Sequence, residues 1–166
     1  NQDGSRNRFL VDGSAPTWSP DGMRIAFIDE DDSGSQIFVR WMDAEGATSQ
    51  ITRVQRSPGN LRWAPDGTQI VYRLWTNNEQ GEGLRIVDVA TGESRVLTTE
   101  YDTLPAWSPK GNVIMFTRYA NDERFLYDEF DIYTICPDGT DLKRLTDAEG
   151  NDAHALWSPD GNQILW

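Results

Sequence analysis

The chain has 166 residues, 37% hydrophobic, with seven Trp, five Tyr and six Phe, a composition that excludes a disordered tail and suits pleated structure better than helix. Its formal net charge is −12, and without a basic run to face phosphates it is no nucleic-acid binder; cation-bearing or basic protein partners suit it better. One cysteine, Cys136, excludes an internal disulfide, and no apolar run reaches the roughly 20 residues of a membrane span.

Residues 1–14 read as the outermost strand of a preceding unit, with Gly4 as a turn glycine and Leu10 near the strand end. A pentapeptide then appears at Trp18–Gly22 as WSPDG, and returns as WAPDG at Trp63–Gly67, WSPKG at Trp107–Gly111 and WSPDG at Trp157–Gly161. The Trp residues recur at intervals of 45, 44 and 50 residues, a period that suits a four-stranded propeller blade. Pro ends a strand because it cannot donate a ladder hydrogen bond, and Asp-Gly favours a tight reversal. Lys110 replaces Asp in the third copy and Ala64 replaces Ser in the second. A turn tolerates those losses and a chemical site would not. Trp, just before the turn, offers a large apolar body to a neighbouring blade.

Past each turn an aliphatic residue (Ile25, Ile70, Ile114, Ile164) stands two positions before an aromatic one (Phe27, Tyr72, Phe116, Trp166), so both share one face of a second strand. A third apolar run follows at 36–41, 84–89 and 131–136, leading to turns that end at Gly46, Gly92 and Gly139. Each unit then closes on Ile51-Thr52, Leu97-Thr98 or Leu145-Thr146. The chain therefore reads as all-β, a partial propeller of four-stranded antiparallel blades. Blade 1 covers 15–58, blade 2 covers 59–102 and blade 3 covers 103–152, with the first two strands of a fourth in 153–166. No segment shows sustained helical periodicity.

The ordered pattern WSPDG…I-x-F…IYT…DG…RLT resembles the TolB-like β-propeller repeat, a relative of WD-repeat propellers, over nearly the whole chain. The resemblance implies blades around a central axis, with the Trp strand innermost and the RLT strand outermost. It implies a periplasmic or secreted scaffold that binds protein partners without catalysis. It leaves open two alternatives: an accessory propeller of a prolyl-oligopeptidase-type serine hydrolase, and a propeller enzyme acting on polysaccharide. The incomplete fourth unit reads as part of a longer propeller, whose open blade edges would favour self-association.

Successive loops of a meander alternate between two ends, so the Trp turns share one end and the more irregular loops the other. The longest of these, 118–131, mixes Tyr119, Phe125, Tyr127 and Phe130 with Asp122, Glu123, Asp128 and Glu129. It is either a protein-binding patch or a set of rings packed on their own blade. Asp29, Asp31 and Ser33, at alternate positions before Gly34, resemble the start of a calcium loop. Arg40 stands where an EF-hand would place its bidentate Glu, and the alternative is a solvated hairpin turn. His154, the single histidine, falls near an innermost strand facing the axis, as a binding or an incidental residue. Cys136 ends a third strand as a small apolar residue. No G-x-S-x-G, H-E-x-x-H, P-loop or cysteine metal pair is present, so no catalytic residue is assigned and no cofactor beyond a calcium ion is expected.

Overall fold

The structure is a computed structural model, and it describes residues 9–43, 46–75, 83–120, 129–148 and 150–166. These residues hold strands and turns and no α-helix. The first blade is β1 (Ser14–Trp18), β2 (Arg24–Asp31), β3 (Gly34–Trp41) and β4 (Thr48–Gln50). The second is β5 (Pro58–Trp63), β6 (Gln69–Leu74), β7 (Leu84–Asp88) and β8 (Ser94–Val96). The third is β9 (Asp102–Trp107), β10 (Ile114–Ala120), β11 (Glu129–Ile135) and β12 (Lys143–Arg144), and β13 (Leu156–Trp157) pairs with β14 (Ile164–Leu165). Each sheet is an antiparallel meander in chain order. The all-β reading of four-stranded blades is therefore what the chain folds into. The inner strands begin at Ser14, Pro58 and Asp102, one residue ahead of the blade starts read from sequence, because their ladders continue past a bulge. The strand expected at the start falls mainly on 1–8, outside the described residues; Phe9–Gly13 are not in a strand.

The pentapeptide turn is fixed by its own side chains. Ser19 Oγ donates to Asp21 Oδ1 at 2.5 Å and accepts the Arg24 N–H at 2.9 Å, while Asp21 Oδ1 also accepts the Met23 N–H. Ser158 and Asp160 repeat this arrangement in the last copy. In the second copy Ala64 has no hydroxyl to contribute, and Asp66 Oδ1 instead accepts from both the N–H and the hydroxyl of Thr68.

The blades stack face to face, and alternation along the second strand divides the core between seams. Ile70 and Tyr72 pack backwards with Leu61 and Trp63 against Ala26, Ile37 and Val39 of the first blade. Val71 between them packs forwards with Ile86 and Leu97 against Trp107, Ile114 and Phe116 of the third. Tyr72 and Phe116 are fully buried, each worth roughly 2–3 kcal/mol in removed apolar surface. Inner strands β1, β5 and β9 contact one another in series, whereas β4, β8 and β12 contact mainly their own blades.

The recurrent threonine has a specific task. Thr52, Thr98 and Thr146 each accept the backbone N–H of the third strand (Ile37, Leu84, Ile132) on Oγ1 at 2.8, 2.9 and 3.0 Å. The outer strands are two or three residues long, so the hydroxyl takes over where the ladder stops and these three backbone N–H groups keep a partner.

Candidate functional site

Strand direction divides each blade into two ends. The Trp turns lie at one; the inner strands start at the other, where β2–β3, β6–β7 and β10–β11 turn. At this second end every inner strand carries the same departure. The residue three before each Trp adopts a left-handed backbone: Ala15 (φ 49°), Asn60 (φ 51°), Leu104 (φ 51°) and His154 (φ 57°). In the three full blades it forms a bulge. Ser14 pairs Ile28 and Thr17 pairs Ala26, so Ala15 and Pro16 oppose Phe27 alone. Asn60 and Leu61 oppose Tyr72, and Leu104 and Pro105 oppose Phe116, in the same way. A bulge of this conformation favours glycine, and a side chain costs about 1–2 kcal/mol there. Four non-glycine residues of unlike chemistry hold the position. Backbone held in this region clusters at binding sites and ligand clamps.

Leu104 and His154 line a cavity of about 390 Å³ between blades 3 and 4, with Thr103, Thr117, Phe130, Asn151 and Ala153. Its floor is built by β11 and the segment beside it. The Phe130 N–H donates to Asn151 Oδ1 at 3.2 Å, and the Asp152 N–H donates to the Phe130 carbonyl at 2.8 Å. His154 is exposed. Leu104, Phe130 and Ala153 give the cavity apolar lining, and Asn151 and His154 bring hydrogen-bonding groups to it.

The neighbouring rim is tied together by Arg73. The Arg73 guanidinium lies between two rings, 3.9 Å from the Trp75 centroid and 4.4 Å from that of Tyr101. Its Nη1 donates to Thr103 Oγ1 at 3.3 Å, and Thr103 Oγ1 donates to Asn60 Oδ1 at 3.2 Å. One chain of contacts thus joins the left-handed residue of blade 2 to the cavity of blade 3. Arg118 Nε and Nη2 donate to the two oxygens of the fully buried Asp102 at 2.7 and 2.8 Å. Burial opposes the Arg118 charge, yet the hydrogen bond and charge of Asp102 outweigh it and hold its pKa above the ordinary value. Arg144 Nη2 stands 2.6 Å from Asp131 Oδ2, an ion-pair approach without hydrogen-bond alignment.

Of the residues singled out in the sequence, His154 lines the cavity and Tyr119 stands behind it. The Tyr119 ring packs edge-on against Phe130 (5.5 Å) and Tyr101 (5.7 Å). Glu129 is buried, and its Oε1 accepts the Gly150 N–H at 3.2 Å, which ties β11 to the approach to blade 4. Phe125, Tyr127 and Asp128 lie outside the described residues. Asp29, Asp31 and Ser33 fall on the β2–β3 hairpin. Asp31 Oδ1 accepts from the N–H and hydroxyl of Ser33, Oδ2 accepts from Gln50, and Asp29 Oδ1 accepts the Glu30 N–H. Among the described residues no three His, Cys, Asp or Glu side chains come together to hold a metal ion. Sequence reasoning missed Asn60, Arg73, Tyr101, Thr103, Leu104 and Asn151. The offset of three from each Trp was the available signal for two of them.

Residues 5–129 match the model of the TolB beta propeller domain. The chain is 35% identical over 146 residues to a protein TolB homolog of Chlorobium luteolum, covering 87% of this chain and 31% of that protein. It is 27% identical over 118 residues to an uncharacterized peptidase, YuxL, of Bacillus subtilis, covering 65% of this chain and 17% of that one. The crystal structure of TolB from Acinetobacter baumannii superposes with a TM-score of 0.73 at 23% identity, over 98% of this chain and 40% of that chain. The chain thus spans less than a third of the length of the first of these relatives.

Proposed function

Because the chain belongs to the TolB beta propeller domain family, we propose that its blades act as a non-catalytic scaffold of the periplasm or cell exterior. The scaffold binds a protein segment at the end where the inner strands begin. One observation carries this reading: a left-handed, non-glycine residue at the same place in four repeats, two of them lining one cavity. Repetition fixes the backbone while the side chains differ as Ala15, Asn60, Leu104 and His154, which is how a rigid frame presents a specific surface. Tyr119 and the rings around it stiffen that surface.

The test uses the immobilised protein and an envelope extract of the source cell. Leu104→Arg and His154→Glu should abolish capture of the bound protein while melting temperature holds. Asp43→Lys, at the opposite end, should leave capture intact. Capture that survives both rim substitutions sinks the proposal. A second reading, an accessory propeller of a serine hydrolase, draws on the likeness to the Bacillus subtilis peptidase. A G-x-S-x-G nucleophile turn in the same open reading frame would select it.

A further inference from the structure

The seams between blades differ at the Trp-turn end, and the difference has a chemical shape. At the first seam Arg24, six residues past Trp18, lays its guanidinium over the Trp63 indole with Cζ 5.1 Å from the ring centroid. Its Nη2 donates to Asp21 Oδ2 at 3.1 Å. The same nitrogen fills the cradle of the next turn: a Cβ on Gly67 would lie 2.7 Å from Arg24 Nη2 and 3.8 Å from Pro20 Cδ.

The second seam repeats every part of this arrangement except the guanidinium. Trp107 stands for Trp63, Asp66 for Asp21, Pro65 for Pro20 and Gly111 for Gly67, but the residue six past Trp63 is Gln69. A Cβ on Gly111 would meet Pro65 Cδ at 3.8 Å, and no arginine. A cavity of about 480 Å³ remains, lined among others by Ala64, Pro65, Asp66, Gln69, Trp107 and Lys110. Asp66 Oδ1 is used by Thr68. Its Oδ2 makes no hydrogen bond among the described residues.

We propose that this seam receives the guanidinium of an arginine side chain from a partner protein, stacked on the Trp107 indole and paired with Asp66 Oδ2. The first seam is the template, with the arginine supplied from within. A planar guanidinium can stack and pair at once, which an ammonium does less well. The net charge of −12 draws a basic partner in. Lys110 lines the same cavity, but its Nζ donates to Asn162 Oδ1 at 2.5 Å across the third seam. That third seam has Lys110 and Val113 where the first has Asp21 and Arg24, so it lacks the carboxylate and is no second site. The surface lies at the opposite end of the blades from the proposed rim, so either binding mode can fail without the other.

The indole N–H resonances of the ¹⁵N-labelled protein report the site during titration with acetyl-Gly-Arg-Gly-amide, whose blocked ends leave only the side chain to bind. The Trp107 signal should shift saturably. The lysine analogue should bind several-fold more weakly, and Asp66→Asn should weaken the arginine peptide about fivefold. Gln69→Arg, which fills the cavity from inside, should abolish the shift while keeping a dispersed spectrum and an undiminished melting temperature; Lys110→Ala should tighten binding. Equal shifts with both peptides, or undiminished binding by Gln69→Arg or Asp66→Asn, would overturn the proposal.

Discussion

The indole Nε1 of Trp107 donates to the carbonyl of Arg62, 3.2 Å away in the preceding blade. Trp63 bonds Thr17 and Trp157 bonds Ala106 at the same distance. The acceptor is always the residue before the previous Trp, so each of these indoles reads the position of its predecessor. Trp107→Phe keeps most of the ring and loses the N–H, and should cost about 1–2 kcal/mol in chemical denaturation. Trp18, 56% exposed, has no such acceptor among the described residues, and Trp18→Phe should stay within about 0.5 kcal/mol of wild type. Equal losses would show that the indole bond is not what holds the seam.

The threonine hydroxyl is expected to matter more than its size suggests. Thr98→Val preserves shape but strands the N–H of Leu84, which is fully buried. The expected loss is about 1–3 kcal/mol, and Thr98→Ser should recover most of it. Hydrogen exchange at the Leu84 amide provides a local check, since it should speed up in the valine variant alone.

The left-handed position makes a prediction of opposite sign. Leu104→Gly relieves the strained backbone and should stabilise the protein by up to about 1 kcal/mol, part of the gain being offset by the entropy glycine loses on folding. Leu104→Val, with a branched Cβ, should destabilise it. An order of stability Gly, Leu, Val from highest to lowest, measured by urea midpoint, supports the strain argument, and a glycine variant less stable than the valine variant refutes it.

Acid should loosen the turns before the core. The hydroxyl of Ser158, the Asn162 N–H and the Asn162 side chain hold the Asp160 carboxyl at about 2, below its ordinary 3.8. The Ser19 hydroxyl and the Met23 N–H lower Asp21 likewise, and Thr140 lowers Asp138. A folded value below the unfolded one means the contribution is complete above 3.8 and is lost as pH falls towards about 2. The stability gap between wild type and Asp160→Asn should therefore narrow from roughly pH 5 to pH 2; a gap that stays constant on acidification excludes the carboxylate as its source.

Much of this was written locally. The Trp intervals, the Asp-Gly turns and the i, i+2 pairs such as Ile70 and Tyr72 depend on residues near one another in the chain, so period and alternation alone carried the all-β, four-stranded-blade architecture and the shared face of each pair. The sequence also put His154 beside an innermost strand, and it stands just ahead of β13. It could not say that Glu129 is spent on Gly150, nor that Tyr119 packs on Phe130 and Tyr101.

What the tertiary structure alone decided lies at the seams. Trp107 and Arg62 are 45 positions apart, and their meeting depends on how one twisted sheet settles on the next. The left-handed turn at Leu104 goes against what a leucine side chain prefers, so propensity could not announce it; it sits where the ladder bulges opposite Phe116. Arg24 and Gln69 look like ordinary surface residues in the sequence. Only the stacked blades show that one lays its guanidinium over an indole and the other borders a cavity beside the next indole, because a cavity is a relation among surfaces and not a property of any one strand.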